Sequence, residues 1–219
     1  MRFLSSLIAI VMLATACGGS DSAELEASRD GVVVLRATAS LTPAEVFAAV
    51  APSVIFVEVP DGSGSGVLLS SGYVVTNAHM VGHFPTVRLV TSAGELAEVP
   101  VYAKDWSTDL ALIGPLPFDE LDGEILAVDL GSSAIVNIGD AVYLIGYPGE
   151  VESQPVPAMT SGILSRRRLA ACQGMTFLQT DAVIAGGQSG GVLVDASGQV
   201  IGISGLGAFA DSNFALVLS

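Results

Sequence analysis

The hydrophobic positions of this chain fall into many short runs rather than long helical stripes. Beyond residue 50, β-branched, aromatic and aliphatic residues gather in segments of four to seven, bounded by glycine, proline, serine or aspartate. Such segments predict strands. Ser53–Val59, Ser65–Leu69, Tyr73–Thr76, Thr86–Val90 and Leu110–Ile113 make a first group. Asp140–Gly146, Met159–Ser165, Met175–Gln179, Gly191–Val194, Val200–Ser204 and Asn213–Leu218 make a second. Ser71-Gly72, Ala93-Gly94, Gly139-Asp140 and Ser197-Gly198 mark turns between them. The stretch Pro115–Leu130, with its proline, glycine and acidic residues, reads as the link between the groups. One short helix is expected at Thr42-Pro43-Ala44-Glu45, where Thr42 can cap, Pro43 suits the first turn and Glu45 can close a capping box. Ala51-Pro52 should end it. No internal repeat and no long helix is evident.

The N-terminus departs from this pattern. Met1-Arg2 is positive, and Phe3 to Ala14 is mostly apolar but shorter than the ~20 residues that span a bilayer. Leu13-Ala14-Thr15-Ala16-Cys17 ends in small residues before a cysteine, which resembles a bacterial lipoprotein signal. Residues 1–16 are therefore expected to be a signal peptide, 17–40 a tether and 41–219 one folded domain. Lipid on Cys17 would make the protein an exported, membrane-anchored component of the cell envelope. An ordinary signal cut after Ala16 would make it secreted.

With 219 residues, 51% of them hydrophobic, the chain can bury one sizeable core. The net charge of −14, with Lys104 the single lysine, argues against a nucleic-acid partner, whose phosphates need a basic face. It also weakens adhesion to anionic membranes, leaving a lipid anchor as the membrane contact. The one basic cluster, Arg166-Arg167-Arg168, reads as a solvated loop or strand end rather than an anion site. The two cysteines are Cys17 and Cys172, so lipid on Cys17 would leave Cys172 unpaired and the fold without disulfides. No metal site is expected: Gly82 interrupts any helix joining His79 to His83, and no third ligand stands nearby.

Candidate chemistry lies in Gly186-Gly187-Gln188-Ser189-Gly190-Gly191. Glycine loses more backbone entropy on folding than any other residue, so such a run suits a place where main-chain N–H groups must approach a ligand closely. Ser189 could present its hydroxyl there, beside an oxyanion hole built from the N–H groups of Ser189 and Gly187. A plain Gly-rich hairpin loop is the bland alternative. Serine needs a base, and the base needs an orienting group. His79 ends the strand-like run Tyr73-Val74-Val75-Thr76-Asn77-Ala78, and Asp109 opens Leu110-Ala111-Leu112-Ile113. Asp105 is the rival third member. The order His, Asp, Ser is that of chymotrypsin-type proteases and differs from subtilisins and α/β-hydrolases.

Several segments together resemble the HtrA/Deg family of bacterial trypsin-like serine proteases. They are Val50-Ala51-Pro52-Ser53-Val54-Ile55-Phe56-Val57-Glu58-Val59, Gly62-Ser63-Gly64-Ser65-Gly66-Val67, the Thr-Asn-x-His motif ending at His79, and Thr108-Asp109-Leu110-Ala111. Around the serine run the flanks Leu178-Gln179-Thr180-Asp181-Ala182 and Val200-Ile201-Gly202-Ile203 match as well. The resemblance covers roughly residues 45–218. It implies an all-β fold of two six-stranded antiparallel barrels with the active site between them. His79 and Asp109 would come from the first barrel and Ser189 from the second, giving a serine endopeptidase that needs no cofactor. Its substrates would be unfolded or damaged polypeptides. Val183, six residues before the serine, would form the base of an apolar specificity pocket, with Ser204 a second substrate-binding position. Gln188 replaces the aspartate to which a new N-terminus pairs in pancreatic-type activation, so that route is not expected. Relatives usually continue into PDZ domains, whereas this sequence stops at Ser219 and is read as a member without one. Relatives also form trimers through N-terminal segments, which makes a homo-oligomer an implication of the resemblance alone. The competing reading is a non-catalytic pseudoprotease or chaperone-like binding lipoprotein.

Overall fold

The computed structural model describes residues 24–27, 32–36, 40–117, 125–149, 155–170, 175–184, 186–205 and 216–218. Cys17 and Cys172 lie outside them. Strands β1 (Glu24–Ala27) and β2 (Val32–Arg36) precede helix α1 (Pro43–Val50). There follow β3 (Val54–Val59), β4 (Gly62–Leu68), β5 (Val74–Asn77), the single helical turn α2 (Ala78–Val81), β6 (Thr86–Thr91), β7 (Gly94–Asp105) and β8 (Leu110–Ile113). After β9 (Ile125–Ala127) come β10 (Ala141–Gly146), β11 (Ala158–Ala170), β12 (Met175–Thr180), β13 (Val192–Asp195), β14 (Val200–Gly205) and β15 (Leu216–Leu218).

Twelve of these strands close into two six-stranded barrels, in the orders β3-β4-β5-β8-β7-β6 and β10-β11-β12-β15-β14-β13. All pairings within the barrels are antiparallel. Closure satisfies the strand edges that an open sheet would expose. The expected all-β double barrel is therefore the observed one.

Period-two alternation explains why the strands look uniformly apolar. In β3, Ile55 and Val57 point into the first barrel, while Val54 joins a second cluster between the barrels. In β10, Val142 and Leu144 fill the second barrel, and Tyr143 and Ile145 face the interval. β13 repeats this: Leu193 points inward, and Val192 and Val194 point between. Strands buried on both faces lose the apolar–polar alternation of a half-exposed sheet. The intermediate layer also takes Val46 and Val50 of α1. That helix starts with the expected capping box: Thr42 Oγ1 accepts from the Glu45 N–H at 3.4 Å, and the Thr42 N–H donates to Glu45 Oε2 at 2.8 Å. The Thr42 hydroxyl, which donates to Glu45 Oε2 at 2.7 Å, and then the Thr42 N–H hold the Glu45 carboxyl below the ordinary range.

Three regions differ from the sequence expectation. β7 was not anticipated and supplies the sixth strand of the first barrel. β11 continues five residues beyond Ser165 to Ala170, so Arg166, Arg167 and Arg168 are strand residues paired with Gln179, Leu178 and Phe177. Arg167 donates to the carbonyls of Ser133 and Val136. Within the stretch read as a tether, β2 pairs antiparallel with β1 and parallel with β9, and β9 itself falls inside the presumed inter-barrel link. No helix among the described residues is long and apolar enough to cross a membrane.

Candidate active site

His79 stands on α2, directly after β5. Its ring Nδ1 meets Asp109 Oδ2 at 2.7 Å, and its main-chain N–H donates to Asp109 Oδ1 at 2.9 Å. The Asp109 carbonyl in turn accepts from the Ala78 N–H at 3.0 Å and from Asn77 Nδ2 at 3.1 Å. One aspartate thus grips three consecutive residues, using both its carboxylate and its carbonyl. To do so it adopts φ +56°, a left-handed conformation that aspartate tolerates better than most residues. The His79 and Asp109 side chains are 36% and 37% exposed, so solvent screens their attraction and the contact acts mainly through orientation. A carboxylate only accepts, so the ring nitrogen facing it, Nδ1, is the donor.

Asp105 does not take this place. Its carboxylate accepts from the Ser107 N–H at 2.8 Å and the Ser107 hydroxyl at 2.6 Å, which hold its pKa down. It closes the turn between β7 and β8.

Ser189 approaches from the other barrel on a loop bound by its main chain. Its carbonyl accepts from the Ser65 N–H of β4 at 2.8 Å, and the Gly190 N–H donates to the Ser204 carbonyl at 2.8 Å. Gly187 and Gly190 have φ of +87° and +80°. A Cβ on Gly190 would run into the Ser65 carbonyl oxygen, so this position needs glycine on two counts. Gly64 explains how closely the two barrels meet. A Cβ there would lie 2.5 Å from Met80 Cε and 3.1 Å from the Ser189 carbonyl oxygen, placing it between the residue after His79 and the serine itself.

The family profile described as the trypsin-like peptidase domain matches residues 64–203, which carry all three side chains. Serine protease HTRA4 of Mus musculus is 33% identical over 191 residues, covering 79% of this chain and 38% of that protein. The chain belongs to the HtrA family of trypsin-like serine proteases. The Do-like HtrA of Lactobacillus helveticus is 33% identical over 153 residues, covering 65% of this chain and 35% of its own. Among solved structures, the HtrA-type protease AlgW with a tripeptide superposes with a TM-score of 0.68 at 28% identity, over 81% of this chain and 60% of that one. The serine endoprotease from Yersinia pestis gives 0.65 at 27% identity, over 82% and 63%. The chain spans less than half the length of the curated relatives it matches.

Within this HtrA-family domain, the two positions expected to bind substrate have opposite surroundings. Val183 is 61% exposed rather than enclosed. Its neighbour Ala182 turns into the second-barrel core, which directs Val183 outward, and its carbonyl accepts from Thr160 Oγ1 at 2.7 Å. Ser204 is fully buried, and its hydroxyl donates to the Gln188 carbonyl at 2.5 Å. It holds the serine loop in place and presents no hydroxyl to a substrate. Gln188 is buried beneath that loop.

A cleft of about 440 Å³ opens beside His79, lined by Val59, Asp61, Ser63, Met80, His83 and Phe84. The His83 ring lies 5.8 Å from that of Trp106. A larger apolar cavity of about 570 Å³, between Leu69, Leu110, Leu112 and Ile203, touches none of the three candidate catalytic residues. Two further residues matter to the site. Lys104 Nζ donates to the carbonyls of Gly82 at 3.0 Å and Phe84 at 3.1 Å, tying down the exit of the His79 turn. Ser65 sits at the junction of the barrels. Its only sequence signal was its place in a Gly-Ser repeat.

Proposed function

We propose that this domain is a serine endopeptidase that hydrolyses peptide bonds of unfolded or damaged proteins. The observation that carries the reading is the His79 Nδ1–Asp109 Oδ2 contact of 2.7 Å, in a barrel whose Ser65 N–H also binds the carbonyl of the glycine-framed Ser189. Ser189 Oγ attacks the substrate carbonyl while His79 Nε2 removes its proton. Asp109 keeps the ring in the required tautomer and stabilises the cation. The N–H groups of Gly187 and Ser189 receive the oxyanion. His79 then protonates the leaving amine, and water, deprotonated by the same ring, releases the acyl group from Ser189. Each step uses side chains and main chain alone.

The family match supports the chemistry, and the −14 net charge fits a partner other than nucleic acid. The proposal extends to export, removal of residues 1–16 and lipid on Cys17, which rest on the N-terminal residues. The test of the activity is degradation of reduced, carboxymethylated casein. Wild type should cleave it and Ser189→Ala should not. Equal cleavage by both would assign any activity to a contaminant and return the non-catalytic reading. Intact mass of the envelope-purified protein should show acyl chains on Cys17, and an unmodified N-terminus would remove the anchor.

A further inference from the structure

We propose that Ser65 is a positioning residue for the oxyanion loop, its buried hydroxyl acting as a latch thrown from the first barrel onto the second. This rests on the serine-protease reading above. The Ser65 side chain is fully buried on β4, 122 residues from the glycine it touches. Its oxygen accepts from the Tyr147 N–H at 2.8 Å. A hydroxyl carries one proton, and here it goes to the Gly187 carbonyl at 3.2 Å. Both bonding directions of the hydroxyl are therefore committed, one to the end of β10 and one to the loop.

Gly187 is the residue for which such a latch matters. With no Cβ and φ +87°, its flanking peptides can rotate at little cost, so nothing intrinsic to the loop fixes where its N–H points. Two bonds fix it from outside. The Gly186 carbonyl accepts from the Gly149 N–H, and the Gly187 carbonyl accepts from Ser65. In a trans peptide the N–H runs opposite to the carbonyl of the preceding residue. Holding the Gly186 carbonyl toward Gly149 therefore turns the Gly187 N–H the other way. Holding the Gly187 carbonyl pins the next peptide, which leads through Gln188 to Ser189. Release of either bond lets the donor swing.

Ser65 is itself held rigidly. Its N–H donates to the Ser189 carbonyl at 2.8 Å, and its own carbonyl accepts from Thr76 Oγ1 at 2.6 Å. A Cβ on Gly190 would strike the Ser65 carbonyl oxygen, and one on Gly146 would lie 3.0 Å from the Ser65 hydroxyl. One residue of the barrel that bears His79 thus contacts the nucleophile's main chain and sets the oxyanion donor beside it. β4 also pairs with β5, which leads into His79. The spacing of base, nucleophile and oxyanion donor is referred to a single strand.

The test compares wild type, Ser65→Ala, Ser65→Cys and Ile55→Val, the last a core control on the same barrel. Peptide hydrolysis gives kcat and KM, a fluorophosphonate gives the rate of acylation, and thermal melts report folding. Ser65→Ala should lose about 10–100-fold in kcat and in acylation rate, with KM changed by less than about twofold, because a donor used in the transition state is misplaced. Ser65→Cys keeps the shape with a weaker donor and should recover part of kcat. Ile55→Val should lower the melting temperature while keeping kcat per folded molecule. A folded Ser65→Ala with wild-type kcat would overturn the latch. So would failure of both Ser65 variants to fold, since the hydroxyl would then be structural. A wild type that the fluorophosphonate does not label would instead sink the serine-protease reading, and the latch with it.

Discussion

In the first barrel the candidate catalytic groups are held by side chains: a carboxylate on an imidazole, an asparagine on a carbonyl, a lysine on the turn that follows. In the second barrel Ser189 is held by peptide groups, and the loop around it contributes almost no side chains of its own. The loop borrows its two fixing hydroxyls, Ser65 and Ser204, from strands on either side. A proton relay needs chemically distinct groups that keep one orientation. An oxyanion hole needs backbone N–H groups brought close together, and side chains would only obstruct them. Under the proposed mechanism each half is built from the material its task requires, so the two halves should fail differently.

The first barrel should fail through chemistry. Asp109→Asn preserves the shape but offers a donor where His79 Nδ1–H needs an acceptor, so kcat should fall by about 10⁴-fold with little change in the melt. Asp105→Asn, altering a solvated turn, should leave hydrolysis within about twofold. The reverse ranking in steady-state assays would transfer the orienting role to Asp105. The second barrel should fail through geometry. Gly190→Ala adds one methyl against the Ser65 carbonyl at a positive φ, costing about 1–3 kcal/mol of strain. It should lower the melting temperature by roughly 2–10 °C and abolish fluorophosphonate labelling together. A variant that melts like wild type and labels normally would show that the loop has room the structure denies.

The smallest effect lies where the barrels meet. Burial raises the Tyr147 phenol above its ordinary pKa, and its ring packs edge-on against Phe56 at 5.4 Å. The folded pKa exceeds the unfolded one, so this contribution to stability is fully present below about pH 10 and is lost as the pH rises further. Chemical denaturation between pH 8 and 11 should show a decline that Tyr147→Phe lessens. Parallel curves would mean that this inter-barrel contact does not titrate with folding.

Much of this architecture is legible in the sequence, and the gaps have physical reasons. Strands buried on two faces read as continuous apolar runs, which is why β3, β10 and β13 were recognisable. β7 escaped because its exposure follows neither period: a bulge opposite Val87 and Leu89, Glu98 at φ +58° and the internal Pro100 break the alternation. β9 escaped because three residues with a parallel partner more than 90 positions away carry no local signal. His79, Asp109 and Ser189 could be picked out as candidates because each stands in a marked sequence context, and the structure joins the first two at 2.7 Å. Ser65 could not, since its role comes from a contact formed 122 residues away. The surroundings of Val183 and Ser204, one exposed and one buried, were not legible for a related reason: which way a side chain turns after a strand depends on the core beneath it.

The proposed activity requires Ser189 to be a nucleophile activated by His79 and Asp109. Treating the folded protein with a fluorophosphonate at neutral pH and mapping the adduct by peptide mass spectrometry tests this directly. Wild type should carry one adduct, on Ser189. Ser189→Ala should carry none, and His79→Ala should label at a rate reduced by about 10³-fold or more. An adduct on another residue, or equal labelling of wild type and His79→Ala, would contradict the assignment.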